Sequence, residues 1–144
     1  MSAMSNFLEN KLVDQLFRAQ AAPTTSTLYI GLFTAAPSDS GGGTEVSGNN
    51  YSRATVTSSL ANWAGTQSAG STIASSGTGG VTSNNGAITF ATPSATWGTV
   101  THFGIFDAAS AGNLLFHGAL TTSKTVNSGD TVSFPVGTLT VTFA

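Results

Sequence analysis

The sequence predicts an all-β protein, an antiparallel β-sandwich of jelly-roll-like form with one short N-terminal α-helix. Three observations predict it. Helical hydrophobic spacing occurs only in the first twenty residues; from Thr27 onward the period changes to alternation, rich in Thr, Val and Phe; and turn signals separate the alternating runs. At 144 residues the chain fits one domain, taken as 1–144, long enough to bury a core without disulfides or metals.

The helix is expected over 4–18, extending to 20 at most. Met4, Leu8, Leu12 and Leu16 recur every four residues, Val13 and Phe17 widen the stripe, and Lys11, Asp14 and Arg18 gather on the other side. Ser5 or Asn6 is the expected N-cap, and Pro23 lies beyond the C-terminal end. Such a helix either covers one face of its own domain or docks on a neighbouring subunit, and the apolar stripe alone does not choose between them.

Strands are expected at 27–34, 51–57, 87–92, 100–107, 114–121, 131–136 and 138–143, a number typical of a sandwich. The first ends in "LYIGLFTAAPSDSGGG", residues 28–43. A phosphate-cradling loop would place a Lys and a helix after such glycines, yet no Lys or Arg follows before Arg53. A strand and a flexible loop are expected instead. Asn85-Gly86 marks a turn, and "DAASAGN" reads as a hairpin connection that pairs 100–107 with 114–121 antiparallel. Pro135 removes a ladder donor, which makes its strand an edge or a bulge. Residues 58–85, rich in Ser, Gly and Thr, are a long surface loop or an extended arm ordered by a partner, and the arm is favoured, with Trp63 and Ile73 as its anchors.

Composition excludes several functions. Only 7% of residues are charged and the net charge is -2, so little repulsion keeps copies apart and assembly is favoured. Lys11, Arg18, Arg53 and Lys124 are too few and too scattered for a nucleic-acid footprint. The absence of cysteine removes disulfides and thiolate chemistry and fits folding in a reducing cytoplasm. Glu9, Lys11 and Asp14 interrupt any signal-peptide core, and no stretch approaches a membrane span, so no membrane partner is expected.

Chemistry-bearing residues are few. In the expected hairpin His102 and His117 fall nearly opposite each other, but no third ligand stands at a set spacing, so no metal or other cofactor is expected. Asp107 and Asp130 occupy turn-like contexts and make a weak glycosidase pair, and no Gly-x-Ser-x-Gly elbow occurs, so no catalytic residue is assigned. Asn50-Tyr51-Ser52 matches a glycosylation sequon by chance. Trp97, beside Gly98, reads as a core residue; Trp63 is open between core and an exposed sugar-stacking platform.

"YIGLF" at 29–33, "YSR" at 51–53 and "WGTVTHFGIFD" at 97–107 resemble a family of small structural proteins encoded in tailed-bacteriophage virion gene clusters, and the likeness covers almost the whole chain. Members carry Y-x-G-L-F before a Gly-rich loop, then Y-x-R, then W-G-x-V-x-x-F-G-I-F-D; some are labelled head decoration or cement proteins and others tail fibre proteins. The resemblance implies a virion structural role with no catalytic residue. The expectation is a decoration protein, made in the host bacterial cytoplasm, that binds the outer surface of the capsid, bridges the major capsid protein and associates with itself as a dimer or trimer. The alternative is a tail fibre or receptor-binding module recognising host-surface glycan. Leu8, Leu12, Leu16, Phe17, Trp63 and Ile73, on the helix and the 58–84 arm, are the expected protein-interface residues.

Overall fold

A computed structural model describes residues 2–22 and 25–143. In chain order its elements are β1 (Ser2–Met4), α1 (Asn6–Arg18), β2 (Thr27–Ala35), β3 (Thr44–Glu45), β4 (Ala54–Thr57), β5 (Val81–Ser83), β6 (Ile88–Thr89), β7 (Gly98–Phe106), β8 (Leu114–Val126), β9 (Ser133–Phe134) and β10 (Thr140–Thr142). The main sheet runs β1-β8-β7-β2-β3, with β4 also pairing β2. Two two-stranded ladders, β10-β5 and β6-β9, complete the structure, and every pairing is antiparallel. The all-β, antiparallel, sandwich-like class is the expected one. The jelly-roll refinement is not what the pairing displays, because two short ladders stand where a jelly roll has a second four-stranded sheet.

One core lies between these layers. Ile30 and Leu32 of β2, Phe103 and Ile105 of β7 and Phe116 of β8 meet Ile88 and Val141 from the small ladders. The other face of the main sheet carries a smaller cluster of Phe33, Phe106 and Leu114, with Tyr29 packed against it. Because β2 and β7 are covered on both faces, Ile30–Phe33 and Phe103–Phe106 are buried without interruption, the pattern of central strands. The hairpin joining β7 to β8 forms as expected, with Phe103 opposite Gly118 and Ile105 opposite Phe116.

Helix α1 has the N-cap the sequence predicts but begins at Asn6, two residues later than expected. Ser5 is the N-cap, extended at φ -80 and ψ 156, and its hydroxyl accepts from the Leu8 N–H at 3.3 Å while donating to the Leu114 carbonyl. Ala19, in the left-handed region at φ 54, closes the other end. Pro23, expected beyond that end, lies outside the described residues. Met4 belongs to the short strand β1 rather than to the helix.

Two loops differ from expectation. Residues 36–43 are a tight reversal, not a flexible loop: Ser38 and Gly41 exchange backbone bonds at 2.9 and 2.8 Å, and Gly41 to Gly43 take positive φ values that side chains resist. Residues 58–85 are not an extended arm. The chain folds back on itself, with the Ala64 N–H donating to Ser83 at 2.8 Å and the Asn85 N–H to Asn62 at 2.8 Å, and its last turn contributes β5. The side chain of buried Asn84 accounts for this. Its amide donates to Gly86 and Pro135 carbonyls at 2.7 and 2.9 Å, and its oxygen accepts from the Leu139 N–H at 2.9 Å, tying the loop to the C-terminal ladder.

Candidate interaction surface

The residues with acid, base or aromatic chemistry are mostly committed to structure. Arg53 forms a bidentate pair with Glu45, Nε to Oε1 at 2.8 Å and a terminal nitrogen to Oε2 at 2.7 Å. Its other terminal nitrogen donates to the Ala108 and Ala111 carbonyls, both at 2.9 Å, and its guanidinium carbon lies 3.4 Å from the centre of the Phe106 ring. Tyr51 donates to Glu45 Oε1 at 2.9 Å and accepts from the Leu32 N–H at 2.9 Å. These contacts explain the sequence motifs physically: Y-x-R is a clasp joining the loop before β4 to the β7-β8 connection. Gly31 is glycine because a Cβ there would stand 2.8 Å from the Glu45 carboxylate, and Gly104 because Phe33 and Phe106 approach within 2.9 Å.

Burial pushes the Tyr51 phenol above its ordinary pKa, its main cause being desolvation. Above about pH 10 the unfolded chain releases this proton while the folded protein keeps it, so stability falls as pH rises. Tyr51→Phe is expected to cost about 1–3 kcal/mol at neutral pH, because the Leu32 N–H loses its acceptor. Denaturant melts from pH 8 to 11 check this: the gap between the two proteins narrows above pH 10, where only the native sequence loses stability through the phenol.

The acids and histidines take other roles. Asp107 accepts from the Asn113 backbone and side-chain amides, both at 2.7 Å, and Asp130 accepts from the Asn127 N–H at 2.9 Å, so each closes a turn. His102 stands opposite Ala119 and His117 opposite Gly104, so the two histidines lie diagonally, near but not directly opposite each other. His102 Nδ1 meets the Thr101 hydroxyl at 2.8 Å and His117 Nε2 meets Asp39 at 2.9 Å. Trp97 is a core residue as expected, its indole N–H donating to the Asn49 carbonyl at 3.0 Å, with Tyr51 edge-on at 5.2 Å. Trp63 is half-buried and packed on the core, with its indole nitrogen covered.

Eight large apolar side chains stand exposed among the described residues, and three of them lie together on α1. Phe7 and Leu8 pack on the core, and Leu12 is half-buried. Val13, Leu16 and Phe17, at i, i+3 and i+4, form a single stripe that faces outward, 50%, 72% and 81% exposed. Lys11 and Asp14 are partly covered, with the Lys11 ammonium 5.9 Å from the Phe7 ring. The helix thus packs the apolar side chains of its first half on the domain in the ordinary way and leaves those of its last turns in water. Of the six expected interface residues, the structure leaves Leu16, Phe17 and Ile73 exposed and sets Leu8, Leu12 and Trp63 against the domain. That the first half of the stripe packs and the last turns do not has no signal in the hydrophobic spacing, because the spacing is the same along the whole helix.

No curated protein matches the chain. A family model described as podophage GP4 fiber I protein gp80 matches residues 3–142, nearly its whole length. The chain therefore belongs to that family and is a structural protein of a phage virion.

Proposed function

We propose that this protein is a non-catalytic subunit of a phage tail fibre, whose copies associate through the outward stripe of α1 and which contributes to contact with saccharide on the host surface. The observation that carries the assembly role is Val13, Leu16 and Phe17 standing in water on a helix whose first turns are pinned to the sheet. An apolar stripe rimmed by polar residues marks a protein contact. Lys11, Asp14 and Arg18 lie off the line of the stripe, and Glu9, one turn before Val13, is the charged residue that continues it. The family description as a fiber protein supports the fibre over the capsid-decoration reading, in which the same stripe would seat on the major capsid protein.

Copy number separates the two. Quantitative mass spectrometry of purified virions, scaled to the major capsid protein, is expected to find a small number of copies per particle, with immunogold label at the tail. Hundreds of copies, with label over the head, would replace the fibre reading by decoration.

A further inference from the structure

Between β8 and the C-terminal ladders lies a cleft of about 360 Å3, which shares the walls Leu120, Lys124, Ser133 and Phe134 with an adjoining compartment of about 200 Å3. We propose that this cleft is a binding site for an acidic saccharide, one bearing a carboxylate or phosphate group. The proposal rests on the fibre reading for its biological setting, and it stands on three observations.

The cleft is built by an irregularity in the sheet. Val100 of β7 stands opposite Lys124 and His102 opposite Ala119, so residues 120–123 face Thr101 alone. That wide bulge carries Thr121 and Thr122 out of the ladder and onto the cleft wall, the kind of re-aiming for which bulges serve at functional sites.

Most of the hydroxyls it gathers are open to a ligand. Among the described residues, those of Thr121, Thr122, Ser133, Thr140 and Thr142 make no hydrogen bond within the protein, and that of Thr138 donates to the Pro135 carbonyl at 2.8 Å. Lys124 is likewise the one basic side chain, among the described residues, with neither an acidic nor an aromatic partner; Lys11 lies by Phe7, Arg18 pairs with Asp14 at 3.2 Å and Arg53 with Glu45. The acid that lines the second compartment, Asp130, is held by the Asn127 N–H.

Apolar surface stands beside these polar groups. Phe103 and Phe134 line the outer compartment, and Leu32, Val100, Val126 and Val132 line the inner one. Hydroxyls that both donate and accept match the hydroxyls of a sugar, aromatic and aliphatic walls match its C–H faces, and one unpaired ammonium selects an anionic group. A peptide or nucleic acid would call for more charge or more apolar area than this cleft provides.

Saturation-transfer NMR and calorimetry on the purified protein test the site, with trigalacturonate, 3′-sialyllactose, a hyaluronan tetrasaccharide and mannose 6-phosphate as acidic probes and chitotetraose, lactose and mannose as neutral ones. At least one acidic probe is expected to bind, its neutral counterpart at least tenfold more weakly. Lys124→Ala is expected to weaken that binding about tenfold or more, with Lys124→Arg restoring most of it and neither changing the melting temperature, since Lys124 is exposed. Failure of every acidic probe, equal binding of neutral probes, or no effect of Lys124→Ala overturns the proposal. The virion copy number tests the fibre reading separately: a small copy number with no saccharide binding removes only the cleft, and hundreds of copies with Lys124-dependent binding remove only the fibre.

Discussion

Replacing Leu16 and Phe17 together by aspartate is expected to abolish assembly without unfolding the protein. In light scattering the native chain should migrate as an oligomer and the double variant as a monomer, and phage grown with the variant should carry about 30-fold less of it, the loss that corresponds to removing about 2 kcal/mol of contact. Both side chains are more than two-thirds exposed, so the domain gives up little by their removal; surface changes of this kind usually stay within about 0.5 kcal/mol. A cooperative melt within a degree or two of the native one, together with lost assembly, separates an interface from a structural role. An unchanged oligomer and unchanged incorporation would mean that the stripe is not the contact. Ile73, 66% exposed on the folded 58–85 loop, provides the comparison: its replacement by aspartate leaves folding intact, and it matters to assembly only where the interface extends beyond α1.

Arg53→Ala is expected to have the largest effect on stability. The side chain is 8% exposed and Glu45 25%, so removing the guanidinium leaves a poorly solvated carboxylate beside the Tyr51 hydroxyl. Breaking a buried pair by removing one partner costs about 3–5 kcal/mol, and the partial exposure of Glu45 places the expected loss toward the lower end. The change also frees the Ala108 and Ala111 carbonyls and uncovers the Phe106 ring. Replacing Arg53 by Met together with Glu45 by Leu should recover part of the loss, because the uncompensated carboxylate is then gone. Denaturant melts of the single and double variants measure it, and a single variant within about 0.5 kcal/mol of native would show that the clasp contributes little.

The motifs themselves mislead in an instructive way. Tyr51, Arg53 and the run from Trp97 to Asp107 look like a functional signature, yet each side chain does a job inside the domain: Tyr51 covers Leu32, Arg53 spans to the β7-β8 connection, Trp97 reaches Asn49 and Asp107 closes the hairpin. The residues of the proposed cleft carry no such pattern. Thr121, Lys124 and Thr140 lie on two strands that do not pair with each other, and nothing in their spacing shows that a bulge in β8 turns the first two toward the third.

Local signals determined what depends on neighbours in the chain. Runs of β-branched, aromatic and aliphatic residues bounded by turn signals specified β2, β7 and β8, the Ser5 cap specified the start of α1, and the turn residues at 107–113 specified the hairpin, because each follows from steric and hydrogen-bonding preferences acting over a few residues. Strands β1, β3 and β5 escaped notice because two or three residues have no period to read. The fate of the 58–85 segment was decided by Asn84 reaching residues more than fifty positions away, and the orientation of α1 by where Ser5 meets Leu114. Such long-range contacts select one of several arrangements that local propensity leaves equal in energy. The sequence by itself thus determined a low-charge antiparallel β-domain with an amphipathic helix, while only the tertiary structure decided that the apolar side chains in the last turns of that helix face outward, available to a partner.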